Sequence, residues 1–290
     1  MIHRFRIHRF RKRPFFSIAS FFVVSLCGCA PSQLASNVSG KTHDPLRGVG
    51  ASFLAARAFD RAQVALQRDD SAALQRAGLD LRRASNAGFT PRLTGAFAAQ
   101  LANEASQSAA LANLARGEEM IDLLQASEGK YRAALAFAPL KSPEKVLDPI
   151  TLNSLGYFLA DRGTSRADFE RAAILTRAAF RTWNIRGNSL GADALSRAQG
   201  PQDSLAWALF KLGKFEEARR QQEQVWNISR GMGAADATGE IPFHLAEIYR
   251  ALGLKEKARQ AYFQAMLLPS DIRTKAKIEG ALRLLDLAQV

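Results

Sequence analysis

The chain has 290 residues and a formal net charge of +13, from 40 Lys and Arg against 27 Asp and Glu. Six basic residues lie in the first thirteen positions, and without them 34 bases face 27 acids, a net charge of +7. The other bases are spread singly on alternating-charge helices, whereas nucleic-acid-binding proteins cluster them on one face. The charge distribution therefore argues against a nucleic-acid partner. Its mild positive field favours the attraction of anionic lipid headgroups or acidic polymers.

Residues 1–28 have the organisation of a secretory signal. A basic segment precedes an apolar stretch at 15–26, which is shorter than the roughly 20 residues needed to span a bilayer. Leu26-Cys27-Gly28-Cys29 resembles a bacterial lipobox, which implies cleavage after Gly28 and lipidation of Cys29, with Cys27 the weaker candidate. Ala30 follows in place of the Asp that retains enterobacterial lipoproteins at the inner membrane. The resemblance thus implies a lipid anchor in the cell outer membrane, facing the periplasm. A signal anchor or an ordinary secreted signal is the alternative.

The two cysteines do not form a recognisable metal or disulfide site. A metal ion bound by Cys27 and Cys29 would need two further ligands, and His43 is the only His or Cys in the next two hundred residues. No cysteine follows Cys29, so the mature chain cannot form an internal disulfide. Residues 29–50 are polar and rich in Ser, Gly, Asn and Pro, which indicates a flexible tether.

Good helix formers dominate the remainder of the chain, and no strand alternation is evident. In 51–145 the periodicity predicts pairs of helices that are too degenerate to classify. One is capped by Ser71, and the next starts at Thr90-Pro91. Further helices are predicted at 118–127 and 130–137. The helix that Ser71 is predicted to cap has an apolar stripe that consists of Leu74, Ala77, Leu81 and Ala84.

Three segments in 146–290 share a pattern. They are Asn-Ser-Leu-Gly-Tyr-Phe-Leu-Ala-Asp-Arg-Gly at 153–163, Asp-Ser-Leu-Ala-Trp-Ala-Leu-Phe-Lys-Leu-Gly at 203–213, and Phe-His-Leu-Ala-Glu-Ile-Tyr-Arg-Ala-Leu-Gly at 243–253. Each ends in a glycine and is followed by a second segment carrying a small residue, Ala172, Ala218 or Ala258. The pattern resembles tetratricopeptide (TPR) repeats, which are helix–turn–helix units of 34 residues.

The resemblance implies an all-α fold, a TPR-like helical-hairpin solenoid wound as a right-handed superhelix, with a capping helix at 272–288. The chain departs from the family in its long joins at 184–200 and 231–239. It also has Thr176 and Gln222 where an aromatic residue is usual.

In TPR proteins the first helix of each pair lines a concave groove, which suits an extended or helical peptide. Carried onto this chain, the groove positions are Asn153, Tyr157 and Asp161, then Asp203, Trp207, Phe210 and Lys211, then Phe243, Glu247 and Arg250. The alternative is that these side chains simply cover the repeat surfaces.

Residues 187–191 read Gly-Asn-Ser-Leu-Gly, the pattern of a hydrolase nucleophile elbow centred on Ser189. That motif needs a strand before the serine and a histidine base, for which His244 is the one histidine after Ser189. We expect a joint between helices at Ser189 and a helix-surface position for His244. Trp183 and Trp226 are expected in the core, and the acidic pairs Asp69-Asp70 and Glu118-Glu119 at helix starts.

The sequence therefore predicts a non-enzymatic, lipid-anchored periplasmic scaffold that binds another protein of the cell envelope. Pilus, secretion-system, outer-membrane and exopolysaccharide machinery all use TPR lipoproteins. No cofactor and no metal are predicted. Two alternatives are a serine hydrolase using Ser189 and a glycan- or peptidoglycan-binding module.

Overall fold

The computed structural model describes residues 45–68, 70–86, 92–139, 142–190, 192–231 and 238–287. Within these ranges the chain forms eleven α-helices and one short 3-10 helix, and no strand, so the predicted all-α class is confirmed. None of the helices described is long and apolar enough to cross a membrane. The helices are α1 (Pro45–Gln67), α2 (Ser71–Asn86), α3 (Arg92–Ala112), α4 (Gly117–Phe137), α5 (Pro149–Arg162), α6 (Arg166–Leu190), α7 (Ala192–Lys211), α8 (Phe215–Gly231), α9 (Glu240–Ala251), α10 (Lys255–Leu267) and α11 (Ile272–Leu287), with the 3-10 helix at Pro143–Lys145.

The first four helices pack as α1 on α2 and α3 on α4, with α2 also against α4. The predicted apolar stripe of α2 is buried along its whole length, from Leu74 to Ala84. The cap of this helix is Asp70 and not Ser71, because the Asp70 Oδ1 accepts the backbone N–H of Ala73 at 2.9 Å. A carboxylate at this place also interacts favourably with the positive end of the helix dipole.

Three boundaries differ from the prediction. Helix α1 begins at Pro45, inside the segment expected to be a tether. The two helices expected at 118–127 and 130–137 are one helix, α4, and its Gly129 sits where an added Cβ would lie 2.7 Å from the Ser71 Oγ. The join at 184–200 is helical on both sides of residue 191, since α6 ends at Leu190 and α7 begins at Ala192. Cys29, the signal and Thr90-Pro91 lie outside the described residues.

From α5 onward each helix packs on the next, and α5, α7 and α9 also touch in series. Small residues allow these close approaches. A Cβ on Gly156 of α5 would lie 2.4 Å from the Thr176 Cγ2 on α6, so no side chain fits there. The predicted small residues of the second helices, Ala172, Ala218 and Ala258, are fully buried.

Two of the predicted turn glycines adopt the same helix-ending geometry. Gly213 and Gly253 have φ of +77° and +73°, a region that other residues avoid. After each, the next N–H bonds back to the carbonyl five residues earlier, at 3.0 Å from Lys214 to Leu209 and 2.9 Å from Leu254 to Tyr249. This is the Schellman motif. Gly163 does not adopt it, and its φ is −63°.

The two halves of the chain meet at the C-terminal end of α4. Arg82 of α2 donates to the Leu135 and Ala136 carbonyls at 2.6 and 2.9 Å, and Arg171 of α6 donates to the Leu135 carbonyl at 2.8 Å. Both guanidiniums face the negative end of the helix dipole. Burial, followed by the nearby charge of Arg82, lowers the pKa of Arg171 to about 10.

A candidate binding cavity

A cavity of about 420 Å³ lies between α3, α4 and α5 on one side and the starts of α9 and α11 on the other. Three predicted groove residues line it, namely Asn153, Tyr157 and Asp161. They are spaced by four residues along α5, which puts them on one face of that helix. The three predicted groove residues of α5 therefore line one wall of this cavity.

Aromatic side chains form the wall between α4 and α5. The rings of Tyr131 and Phe158 stack with centroids 4.8 Å apart, and the Tyr131 hydroxyl lies 2.7 Å from the Ser106 Oγ. Burial raises the pKa of Tyr157 well above its usual value, and the carboxylates of Glu240 and Asp161 raise it further. This part of the cavity can therefore hold an apolar group beside neutral phenol hydroxyls.

Charged groups of both signs line the cavity where α5 faces α11 and at the start of α9. The Lys277 Nζ of α11 lies 2.5 Å from the Asp161 Oδ1, and the Arg162 Nε lies 3.2 Å from the Asp161 Oδ2. The carboxyl of Glu240 hydrogen-bonds that of Asp271. Burial and this hydrogen bond raise the pKa of Glu240 to about 8.

The second repeat copy does not present its aromatic side chain as predicted. Trp207 is only 3 % exposed, since its indole stacks on His244 with centroids 4.3 Å apart and on Phe210 at 4.8 Å. Lys211 places its Nζ 4.6 Å from the Trp207 ring centroid, and Asp203 is also buried. The expectation that Trp207 and Asp203 line an open groove is wrong, because both are buried against His244 of α9.

In the third copy, Phe243 is likewise buried, which corrects its placement in the groove. Glu247 is half-buried and accepts hydrogen bonds from Arg250, at 2.7 Å, and from the Tyr262 hydroxyl. The groove face of α9 is thus occupied mainly by contacts within the chain.

A buried polar cluster joins the second and third copies. The His244 Nδ1 lies 3.0 Å from the Asp203 Oδ1, and the Gln222 Nε2 donates to that oxygen at 2.5 Å and to the Ile241 carbonyl at 2.9 Å. Burial alone would lower the pKa of His244, but the Asp203 carboxylate outweighs it and raises the pKa. His244 is 2 % exposed, so its expected surface position is wrong.

The other candidate residues have structural places. The backbone at Ser189 is helical and lacks the strand-to-turn context of a nucleophile elbow, and its side chain is outside the described set. Trp226 packs against the core as expected. Glu118 and Glu119 lie in the first turn of α4, and Asp70 caps α2. Among the residues described, no group of three or more His, Cys, Asp and Glu side chains could hold a metal ion.

Most of the residues that line the cavity were not predicted from the sequence. Tyr131, Glu240, Asp271 and Lys277 were not predicted because they come from other parts of the chain than α5, and Phe158 was not predicted although it lies on α5. The resemblance does not extend to α4, and it implies only a capping role for α11. The one available signal was the position of Phe158 beside Tyr157.

Compared with protein-family models the chain matches none, and no curated protein sequence matches it significantly. The class that the structure defines is an all-α protein in which neighbouring helices pack together and enclose a cavity.

Proposed function

We propose that this chain is a lipid-anchored, periplasm-facing scaffold with a TPR-like solenoid, and that its cavity captures a segment of another cell-envelope protein. The cavity carries the proposal: about 420 Å³ of concave space with an aromatic wall and charges of both signs. Such a mixture suits a peptide segment, whose side chains are apolar and whose backbone and flanking groups are polar. In this scheme the anchor at Cys29 confines the scaffold to the outer membrane and the cavity recruits the partner.

Two observations support the solenoid. Gly213 and Gly253 end equivalent helices with the same hydrogen bonds, and α5, α7 and α9 touch in series. In a solenoid the first helices of successive repeats contact one another in this way, and each repeat shares its core with its neighbours. The resemblance assigns Ala172, Ala218 and Ala258 to the positions where the two helices of each pair cross, and all three are fully buried.

Site-specific photocross-linking tests the cavity. A benzophenone amino acid at Tyr157, in the cavity wall, should give a defined cross-linked partner in the native envelope. The same group at Ile174, which is 51 % exposed on α6 and does not line the cavity, is the matched control. Equal cross-linking at both positions, or none at position 157, would refute capture by this cavity.

The anchor is tested separately by mass spectrometry of the mature N-terminus. We expect a chain that starts at an acylated Cys29. A mature chain that starts elsewhere removes the outer-membrane part of the proposal and leaves the cavity part to be judged by cross-linking.

A further inference from the structure

The last helix forms one side of the cavity while packing loosely on the remainder of the chain. Asp271, Thr274 and Lys277, at the start of α11, line the cavity. Thr274 and Ile278 are the fully buried residues among its described side chains, and Leu284 is 69 % exposed. The helix contacts α10 and, less extensively, α9.

Two polar contacts fasten this helix, one across the cavity to α5 and one to the start of α9. Lys277 reaches Asp161, 116 residues away, and Asp271 pairs with the Glu240 carboxyl. The Lys277 side chain is 41 % exposed and that of Asp161 is 15 % exposed. An ion pair with one partner open to solvent changes an equilibrium constant by about fivefold or less. The contact is therefore weak enough to break and re-form without unfolding the chain.

The link between α10 and α11 provides a fixed pivot. Residues 268–271 are not helical, and the Gly239 N–H donates to the Pro269 carbonyl at 2.8 Å. A Cβ on Gly239 would lie 2.1 Å from the Ser270 Oγ, so the link is packed tightly against that glycine. Rotation of α11 can therefore occur about a link that stays attached to the body.

We propose that α11 is a lid over the cavity, latched by Lys277 to Asp161, and that a partner segment enters when this latch opens. This inference rests on the proposed function, because it assigns the regulation of the same cavity. A partner that competes with Lys277 for Asp161 keeps the lid open once it is bound. The last helix is then an autoinhibitory element as well as the cap of the core.

Hydrogen exchange of the full mature chain tests the latch. Lys277→Met removes the charge and keeps the aliphatic stem, and we expect the amides of α11 to exchange about two- to fivefold faster. Lys275→Met is the matched control, because Lys275 is exposed on the same helix and does not line this cavity. The amides of α5 report global opening and should be unchanged. Equal exchange of α11 in the native chain and in Lys277→Met would overturn the latch.

Cross-linking from position 157 tests whether the latch gates the cavity. Lys277→Met should raise the yield of the partner cross-link about two- to fivefold, and Lys275→Met should leave it unchanged. Faster exchange with an unchanged or lower yield would show that α11 is only a cap and would overturn the lid. If neither the native chain nor Lys277→Met gives a cross-link, the proposed function fails and the lid with it. A cross-link that does not rise in the variant refutes the lid alone.

Discussion

Replacing Gly156 by Ala tests the close crossing of α5 and α6. The new Cβ would lie 2.4 Å from the Thr176 Cγ2 and 3.1 Å from the Thr176 backbone nitrogen. The methyl group can rotate away only at the cost of a strained rotamer, and the backbone atom is fixed within α6. The two helices must therefore separate slightly along the buried face that they share.

Two opposing effects determine how far Gly156→Ala changes the free energy of unfolding. Alanine is favoured over glycine in a helix interior by about 1 kcal/mol. Overpacking a tight interface costs about 1–3 kcal/mol. We therefore expect Gly156→Ala to lower the free energy of unfolding by up to about 2 kcal/mol. In Gly280→Ala the new Cβ meets nothing within 4 Å, so that variant should be stabilised by up to about 1 kcal/mol.

Urea unfolding followed by far-ultraviolet circular dichroism measures both variants. A double variant, Gly156→Ala with Thr176→Ser, tests whether the clash with the Thr176 Cγ2 causes the loss of stability. Serine lacks the clashing Cγ2 and can keep the hydroxyl bond that Thr176 makes to the Ala172 carbonyl at 2.9 Å. It should recover part of the lost stability. If Gly156→Ala is as stable as Gly280→Ala, or if serine recovers nothing, the steric reasoning is wrong.

Three further predictions concern a titrating group, a cap and a turn. The pKa of Glu240 is raised from 4.5 to about 8 in the folded chain, so between these pH values the folded chain binds more protons than the unfolded chain. The free energy of unfolding should therefore fall as pH rises through this window, by up to about 1.4 kcal/mol per pH unit. Glu240→Gln, whose amide can still donate to Asp271, should lose that slope in urea unfolding at pH 5.5 and 8.5; an unchanged slope contradicts the assignment. Asp148→Ala removes the cap that accepts two N–H groups of α5 at 2.9 and 3.0 Å and should cost about 1 kcal/mol, and Asp148→Asn, which can still cap, should cost less. Gly213→Ala places a side chain at φ +77° and should lower stability by roughly 1–2 kcal/mol, whereas no loss would show that the turn relaxes.

Local patterns predicted the elements well because they follow from short-range geometry. The stripe from Leu74 to Ala84 is buried because residues three and four apart share one face of a helix. Gly213 and Gly253 adopt positive φ because a helix that must end in a sharp turn favours glycine there. Each of these predictions depends on a segment of about eleven consecutive residues.

The cavity could not be predicted in the same way because it depends on distances between helices. Tyr131 and Lys277 face one space although 146 positions separate them in the chain. Gly129 illustrates the same limit on a smaller scale. A glycine between two apolar stretches often marks the end of a helix. Gly129 instead lies inside α4, where Ser71 leaves no room for a side chain.

Tyr157, Trp207 and Glu247 occupy one repeat position and have three different surroundings. Tyr157 lines the cavity, Trp207 is buried against His244, and Glu247 accepts a hydrogen bond from Tyr262. A repeat position determines the face on which a side chain lies. What fills the space opposite that face depends on the next repeat, and here each successive copy carries a different partner.

The departures from the repeat pattern are coupled to one another. Gln222 stands where an aromatic residue is usual, and its amide donates to Asp203, which in turn binds His244. Restoring an aromatic residue at 222 would remove one donor from a buried carboxylate and leave the carbonyl of Ile241 without this donor. A buried charge that loses a partner is strongly destabilising, so the change that improves the repeat motif should weaken the protein. These three polar residues therefore form one hydrogen-bonded unit, in which Gln222 supplies a donor to the carboxylate that also contacts His244.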